Sequence, residues 1–291
     1  MFRRDIGALT VEEKTAYLCC MTVQLFLLGV LIAAGGLLLQ QLLRKRRRAQ
    51  LLATPLTAQQ REIVARIVPV TRRLSEALRP ALEGKINLFL DQVTFHAYGE
   101  LELTEAMKLS IAAQACLLVV NSPVWYNTLR TVLVYPSTIV TGRGHHDGEI
   151  VHEGPGTIAG ESWSRGPVVL SWDHALQGGL DPDDGHNVVI HEFAHQLDNL
   201  TGHTNGIPIL RKGQRYERWE KAMLEAYEGH VARVEAGHAS LIDPYGATNH
   251  QEFFAEAVVT FFEKSKAMRR DEAALYAQLA ELFALDPADW G

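Results

Sequence analysis

The sequence is short of cysteine. Its three, Cys19, Cys20 and Cys116, among 291 residues form no C-x-x-C pair. That excludes a disulfide framework and fits a reducing compartment. Any zinc would have to be held by histidine and carboxylate. Internal repeats are absent, and nothing is of low complexity beyond one apolar run. Charge of either sign is missing from Thr15 to Leu43. Basic charge is scarce in the body of the chain. Residues 1–50 hold 8 Lys and Arg against 3 Asp and Glu, which leaves 20 against 31 over residues 51–291. An acidic body argues against direct binding of nucleic acid.

The uncharged stretch is what the sequence has in place of those groups. From Leu18 to Leu39 it is mostly Leu, Val, Ile, Ala and Gly, with Cys19, Cys20, Met21 and Phe26 also apolar and only Thr22 and Gln24 polar. About 20 such residues in a helix span the hydrocarbon core of a membrane. The run is long for a signal peptide and ends in Arg44-Lys-Arg-Arg-Arg48 rather than at a small-residue cleavage site. It therefore reads as an uncleaved transmembrane helix, about residues 18–39, inside an N-terminal segment of residues 1–48. Cys19 and Cys20 fall within it as lipid-facing or packing residues. Five basic residues follow the run, against Arg3, Arg4 and Lys14 before it. The positive-inside bias then places the C-terminal body in the cytoplasm. Residues 49–56 read as a linker, and residues 57–291 as one domain.

Within that domain, Thr57 opens a helical pattern with a capping box to Gln60, and Pro69 kinks or divides it. Ile86–Tyr98 reads as a helix end, or as a helix followed by a strand near residues 93–98. A helix capped by Thr104 covers Leu103–Val120. Strands are expected at Thr131–Tyr135 and Gly166–Trp172. His145 and His146, in a glycine-rich segment between them, read as a solvated loop rather than a metal pair, because neighbours on an extended chain point oppositely. Asp173–Gly185 reads as a loop. Further helices are expected at Trp219–Ala236, Gln251–Lys264 and Leu275–Phe283.

The most informative stretch is Asn187 to Asp198. It contains His191-Glu-Phe-Ala-His195, an H-E-x-x-H, behind a candidate N-cap at Asn187. Four residues make about one helical turn, so both imidazoles project from one face and can share one Zn²⁺. Glu192 follows the first ligand directly, where its carboxylate can reach water at the metal rather than the metal itself.

A catalytic zinc takes three protein ligands and keeps a fourth position open. The position six residues after His195, where a third histidine would suit one peptidase class, is Thr201. His203 is two residues too far along. Asp198 shares the helix face and can ligate, orient an imidazole or help to end the helix. A separate helix offers Glu252 and Glu256, one turn apart on one face. One of these carboxylates can bind metal while the other holds a ligand histidine.

His191-Glu-Phe-Ala-His195 together with Tyr245-Gly-Ala-Thr-Asn-His-Gln-Glu252-Phe-Phe-Ala-Glu256 resembles the Mlc titration factor A family of bacterial zinc peptidases. It is also similar to the catalytic domain of anthrax lethal factor. The likeness extends to Val132–Pro136, Gly166–Trp172 and Ser240–Tyr245 and covers roughly residues 57–285. The best-known members are soluble and lack the N-terminal apolar run. The resemblance implies an α+β, mainly helical, zincin-like domain with a small sheet, here preceded by one transmembrane helix. It implies one Zn²⁺ per chain on His191, His195 and Glu252, with Glu192 as general base and Tyr245 as a transition-state donor. Spacing alone does not single out Tyr245. Glu256 and Asp198 are then supporting residues behind the ligands. Val168, Val169 and Leu170 are read as part of an edge strand that pairs with extended substrate. The expected activity is hydrolysis of a peptide or protein at the cytoplasmic face of the inner membrane. The alternative is a protein that sequesters a transcriptional repressor, its zinc site secondary.

Overall fold

A computed structural model describes residues 10–137, 139–140, 157–158, 160–162 and 166–290 of the chain. His145 and His146 lie outside the described residues, as do the side chains of Cys19 and Cys20. The chain divides into two compact units, Met1–Gln50 and Leu51–Gly291.

Helix α1 (Val11–Ala53) runs through the first unit and supplies the opening turn of the second. Its segment Gln24–Ala53 is long and apolar enough to cross a membrane, and Leu25, Phe26, Leu31 and Ile32 are exposed on it. The linker expected over residues 49–56 is largely helix. Ala49, Gln50, Leu51, Leu52 and Ala53 are good helix formers, and α1 stops only where Thr54 precedes Pro55.

In the second unit, α2 (Ala58–Ile67) is opened by the Thr57–Gln60 capping box. Pro69 divides the helical pattern and starts a 3₁₀ turn, Pro69–Arg73. Then follow α3 (Arg79–Gln92), β1 (Thr94–Ala97), α4 (Glu105–Leu117), β2 (Thr131–Tyr135), β3 (Ile139–Val140), β4 (Thr157–Ile158), β5 (Gly160–Ser162) and β6 (Val168–Ser171). The remaining helices are α5 (Trp172–Leu180), α6 (Val188–Asp198), α7 (Tyr216–Glu235), α8 (His250–Glu263), α9 (Ser265–Asp271) and α10 (Ala273–Phe283). The unit is α+β and mainly helical. Helix α5 replaces the loop expected over Asp173–Gly185, and α9 was not anticipated.

Strands β1, β2 and β6 are parallel, and β5 closes the sheet antiparallel to β6, in the order β1-β2-β6-β5. Val132 faces Val168, and Glu161 faces Val169. This corrects the edge-strand reading of Val168, Val169 and Leu170. Strand β6 is interior, all four of its residues are buried, and its two hydrogen-bonding sides are taken by β2 and β5. Its unbroken apolar run is the mark of a strand covered on both faces. Among the described residues the outermost strand on that side is β5.

The core runs beneath the sheet. Helix α4 is buried from Leu109 to Leu117, and the rings of Phe89, Tyr126 and Phe193 meet at 5.1–6.3 Å. Phe193 is the residue of α6 that anchors it there. Gly84 on α3 faces the Leu52 carbonyl so closely that a Cβ would overlap it. The last turn of α1 is thereby packed onto α3.

Candidate metal centre and active-site cavity

Two asparagine-capped helices build the site. Asn187 Oδ1 accepts from Ile190 N at 2.9 Å and starts α6. Asn249 Oδ1 accepts from Gln251 N at 3.0 Å and Glu252 N at 2.9 Å and starts α8. Each cap satisfies backbone donors that the first helical turn leaves open. Helix α6 is buried over Val189–Asp198 and packs along α8. Against that helix, His191 and His195 meet Glu252.

The three side chains converge on one point. His191 Nε2 and His195 Nε2 lie 3.1 Å apart. Glu252 Oε2 is 3.1 Å from the first and 3.3 Å from the second. All three residues are buried. His191 Nδ1 lies 2.9 Å from Glu256 Oε1. A carboxylate only accepts, so Nδ1 carries the proton and Nε2 presents a lone pair. Buried lone pairs this close repel unless a cation lies among them. The donors of a tetrahedral Zn²⁺ with bonds of ~2.0–2.1 Å stand about 3.3–3.4 Å apart. The spacing and the chemistry of this set therefore fit a metal ion.

Electrostatics agree. Burial opposes charge on His191, but the Glu256 charge and the hydrogen bonds to Glu252 and Glu256 hold its pKa well above the usual imidazole range. Burial likewise disfavours ionised Glu252, yet hydrogen bonds from His191 and His195 bring its carboxyl down to about 2. A proton on this cluster supplies positive charge that a bound cation would otherwise supply.

The site opens into a cavity of about 510 Å³ lined by His191, Glu192, Tyr245 and Glu256. Glu192 is itself buried, next along α6 from the first histidine. The Tyr245 ring is half-buried, with its centroid 6.1 Å from that of His191. Its loop is held locally, since Tyr245 N donates to Asp243 Oδ1 at 2.8 Å. Glu256 stands behind His191, as the spacing of Glu252 and Glu256 suggests.

Asp198 does something other than orient an imidazole. Its two oxygens accept from Gly206 N at 2.6 Å and Ile207 N at 2.8 Å, pinning the turn that follows α6. Burial raises its carboxyl to about 6 against those hydrogen bonds. His195 Nδ1 has no hydrogen-bond partner among the described residues. His203 is exposed and takes no part in the cluster.

Sequence reasoning missed several groups here. His174, Gln177, Asp184, His186 and Asp243 also line the cavity. His186 Nδ1 lies 3.5 Å from Asp243 Oδ2, joining the two loops at its mouth. His230 on α7 is buried, with Nδ1 2.8 Å from Ser240 Oγ and Nε2 against Gly246 of the Tyr245 loop. No periodic signal marks these residues, because their partners lie on other elements.

A helix bearing H-E-x-x-H, a carboxylate from a following helix and a small mixed sheet define a zincin-like fold. Within that class, the chain belongs to the glucose-regulated metallo-peptidase M90 family, whose pattern matches residues 42–284. It is 39% identical over 243 residues to a protein of Synechocystis sp. described as "Uncharacterized protein slr2042", covering 82% of this chain and 88% of that one. It is also similar to Mlc titration factor A of Klebsiella pneumoniae, 32% identical over 228 residues, 77% of this chain and 85% of the relative. The Mlc titration factor A of Yersinia pestis is 30% identical over 225 residues, 76% and 82% of the two chains.

Proposed function

We propose that the protein is a zinc peptidase anchored in the inner membrane by α1, with its second unit in the cytoplasm. The observation that carries this reading is the triangle of His191 Nε2, His195 Nε2 and Glu252 Oε2 with 3.1–3.3 Å sides, opening beside Glu192 into a cavity. When bound there, one Zn²⁺ supplies Lewis acidity, polarising a peptide carbonyl and acidifying water. Glu192 takes a proton from the attacking water and delivers it to the leaving amine. The Tyr245 hydroxyl donates a hydrogen bond to the carbonyl oxygen as negative charge develops on it. Glu256 fixes the His191 ring and its tautomer. The extended substrate pairs with the outer side of β5 rather than with β6. This is supported by the outermost place of β5 and its packing against α6.

The test is metal content of the purified full chain, followed by hydrolysis of a mixed peptide pool before and after chelation. About one zinc per chain, with activity lost on chelation and restored by zinc, supports the reading. A chain that binds no zinc with its histidines intact contradicts it.

A second reading draws on the relatives named Mlc titration factor A. In it the protein binds and sequesters a transcriptional repressor, and the metal site is secondary. Repressor binding that survives removal of the metal favours this alternative. Binding that requires the metal site, or none at all, favours the peptidase.

A further inference from the structure

Helix α7 buries one face, made of Trp219, Ala222, Met223, Ala226 and His230. Spacings of three and four mark the stripe that meets the core, where an apolar residue is expected at each place. His230 is the exception, a polar ring with none of its surface exposed. Its Nδ1 lies 2.8 Å from Ser240 Oγ, and the Phe253 ring of α8 backs it at 5.6 Å between centroids. Its Nε2 makes no hydrogen bond of normal geometry among the described residues. A buried nitrogen left in that way costs stability that a leucine in the same place would not. Packing alone therefore does not account for a histidine here.

What the ring touches does account for it. Tyr245 sits in a 3₁₀ turn, Pro244–Ala247, that packs against both α7 and α8. The turn comes this close because Gly246 has no side chain. A Cβ there would stand 3.4 Å from His230 Nε2 and 3.4 Å from Glu256 Cβ. The turn is thus wedged between His230 and the carboxylate residue behind His191. Ser240 precedes Tyr245 and Gly246 follows it, so one imidazole meets the Tyr245 segment on both sides. Tyr227, nearly one turn back on α7, adds a longer bond, its hydroxyl donating to Ala247 O at 3.4 Å. Such bracing matters for a group that must donate to a developing oxyanion, because a misplacement of about 1 Å can cost about 100-fold in rate.

We propose that His230 is a positioning residue for Tyr245: from α7 it fixes the segment between Ser240 and Gly246, and with it the place of the Tyr245 ring beside His191. The inference rests on the peptidase reading and deepens it. His230 neither belongs to the converging donors nor lines the cavity, so it acts through the turn alone.

The test uses the full chain in neutral detergent micelles, with H230L as the apolar replacement and S240A as a smaller change that removes only the hydrogen bond to Nδ1. Amide hydrogen exchange of residues 240–248, read by mass spectrometry on metal-free protein, reports the turn without any turnover. H230L should speed that exchange about tenfold, the loss of about one hydrogen bond, and leave the α6 amides as they were. With equal zinc per chain, H230L should lower kcat up to about 100-fold at unchanged KM, and S240A should act in the same direction by less. In a Y245F chain, H230L should lower kcat no further, because the group it positions is gone. Unchanged exchange over 240–248, unchanged kcat in H230L, or the same fold-loss with and without the Tyr245 hydroxyl would overturn the proposal. If H230L does not fold, S240A with and without Y245F decides by the same criteria. Hydrolysis that depends on Tyr245 but not on His230 overturns this inference alone. No hydrolysis by the unaltered zinc-loaded chain overturns the peptidase reading and this inference with it.

Discussion

His191 donates its Nδ1 proton to Glu256 Oε1 across 2.9 Å. That bond turns the ring so that Nε2 faces His195 and Glu252. It also fixes the tautomer in which Nε2 is a lone pair. Glu256→Ala should therefore weaken metal binding by about 10–100-fold while the fold is retained, the usual effect of losing a carboxylate behind a ligand histidine. Competition with a chromophoric chelator measures this. Unchanged affinity would mean that neighbours other than Glu256 orient the ring.

Tyr245 shares its cavity with Glu192 and His191 but is not among the converging donors. Tyr245→Phe should leave metal content unchanged and lower kcat about 100- to 1000-fold, as removal of one oxyanion donor does elsewhere. Steady-state kinetics on a cleaved peptide from the pool decide it. A change confined to KM would assign Tyr245 to substrate binding.

Glu263 ties the start of α6 to α8. Its carboxylate accepts from Asn187 Nδ2 at 2.9 Å and Gly185 N at 3.0 Å. Burial pushes it from 4.5 up to about 8 against the Asn187 hydrogen bond, and the Asp184 charge adds to the rise. A carboxyl raised on folding binds more protons in the native than in the unfolded chain between those two values. Stability from this group is thus complete below about pH 4.5 and is lost as pH climbs through about 8. Glu263→Gln should keep one of the two bonds, because its single amide oxygen alone accepts, and should remove this pH-dependent loss, on the order of 5 kcal/mol by pH 9. Denaturant midpoints of both proteins across pH 5–9 test it. Parallel curves would show that Glu263 is already charged in the native protein at neutral pH.

Gly84 has no room for a side chain beside the Leu52 carbonyl. Gly84→Ala should force the end of α1 from α3 and cost roughly 1–3 kcal/mol, the usual range for overpacking. Thermal unfolding of the full chain reads the change. A stabilised variant would show that α1 gives way there without loss.

The parts of the molecule readable from sequence are those whose signals are local. The caps Thr57, Thr104 and Asn187 lie where their side chains predict helix starts. The H-E-x-x-H turn and the one-turn spacing of Glu252 and Glu256 are equally local. Helix α5 was hidden because Gly178 and Gly179 suggest a turn. In the structure they serve close packing, since a Cβ at Gly178 would lie 2.9 Å from Asn187 Cα and one at Gly179 2.8 Å from Ile67 O. The place of β6 was hidden too. Its outer neighbour, Gly160-Glu-Ser162, carries no apolar alternation that marks a strand. The cavity walls at His186, Asp243 and His230 depend on contacts between distant segments, which no spacing rule reports.

The most direct measurement compares the full-length protein with Glu192→Gln, recording metal per chain and peptide hydrolysis on the same samples. The account predicts equal metal, about one zinc per chain, with hydrolysis in the unaltered protein and a loss of several orders of magnitude in the variant. Equal metal with equal hydrolysis would contradict the role of Glu192, and absence of metal from both would contradict the centre itself.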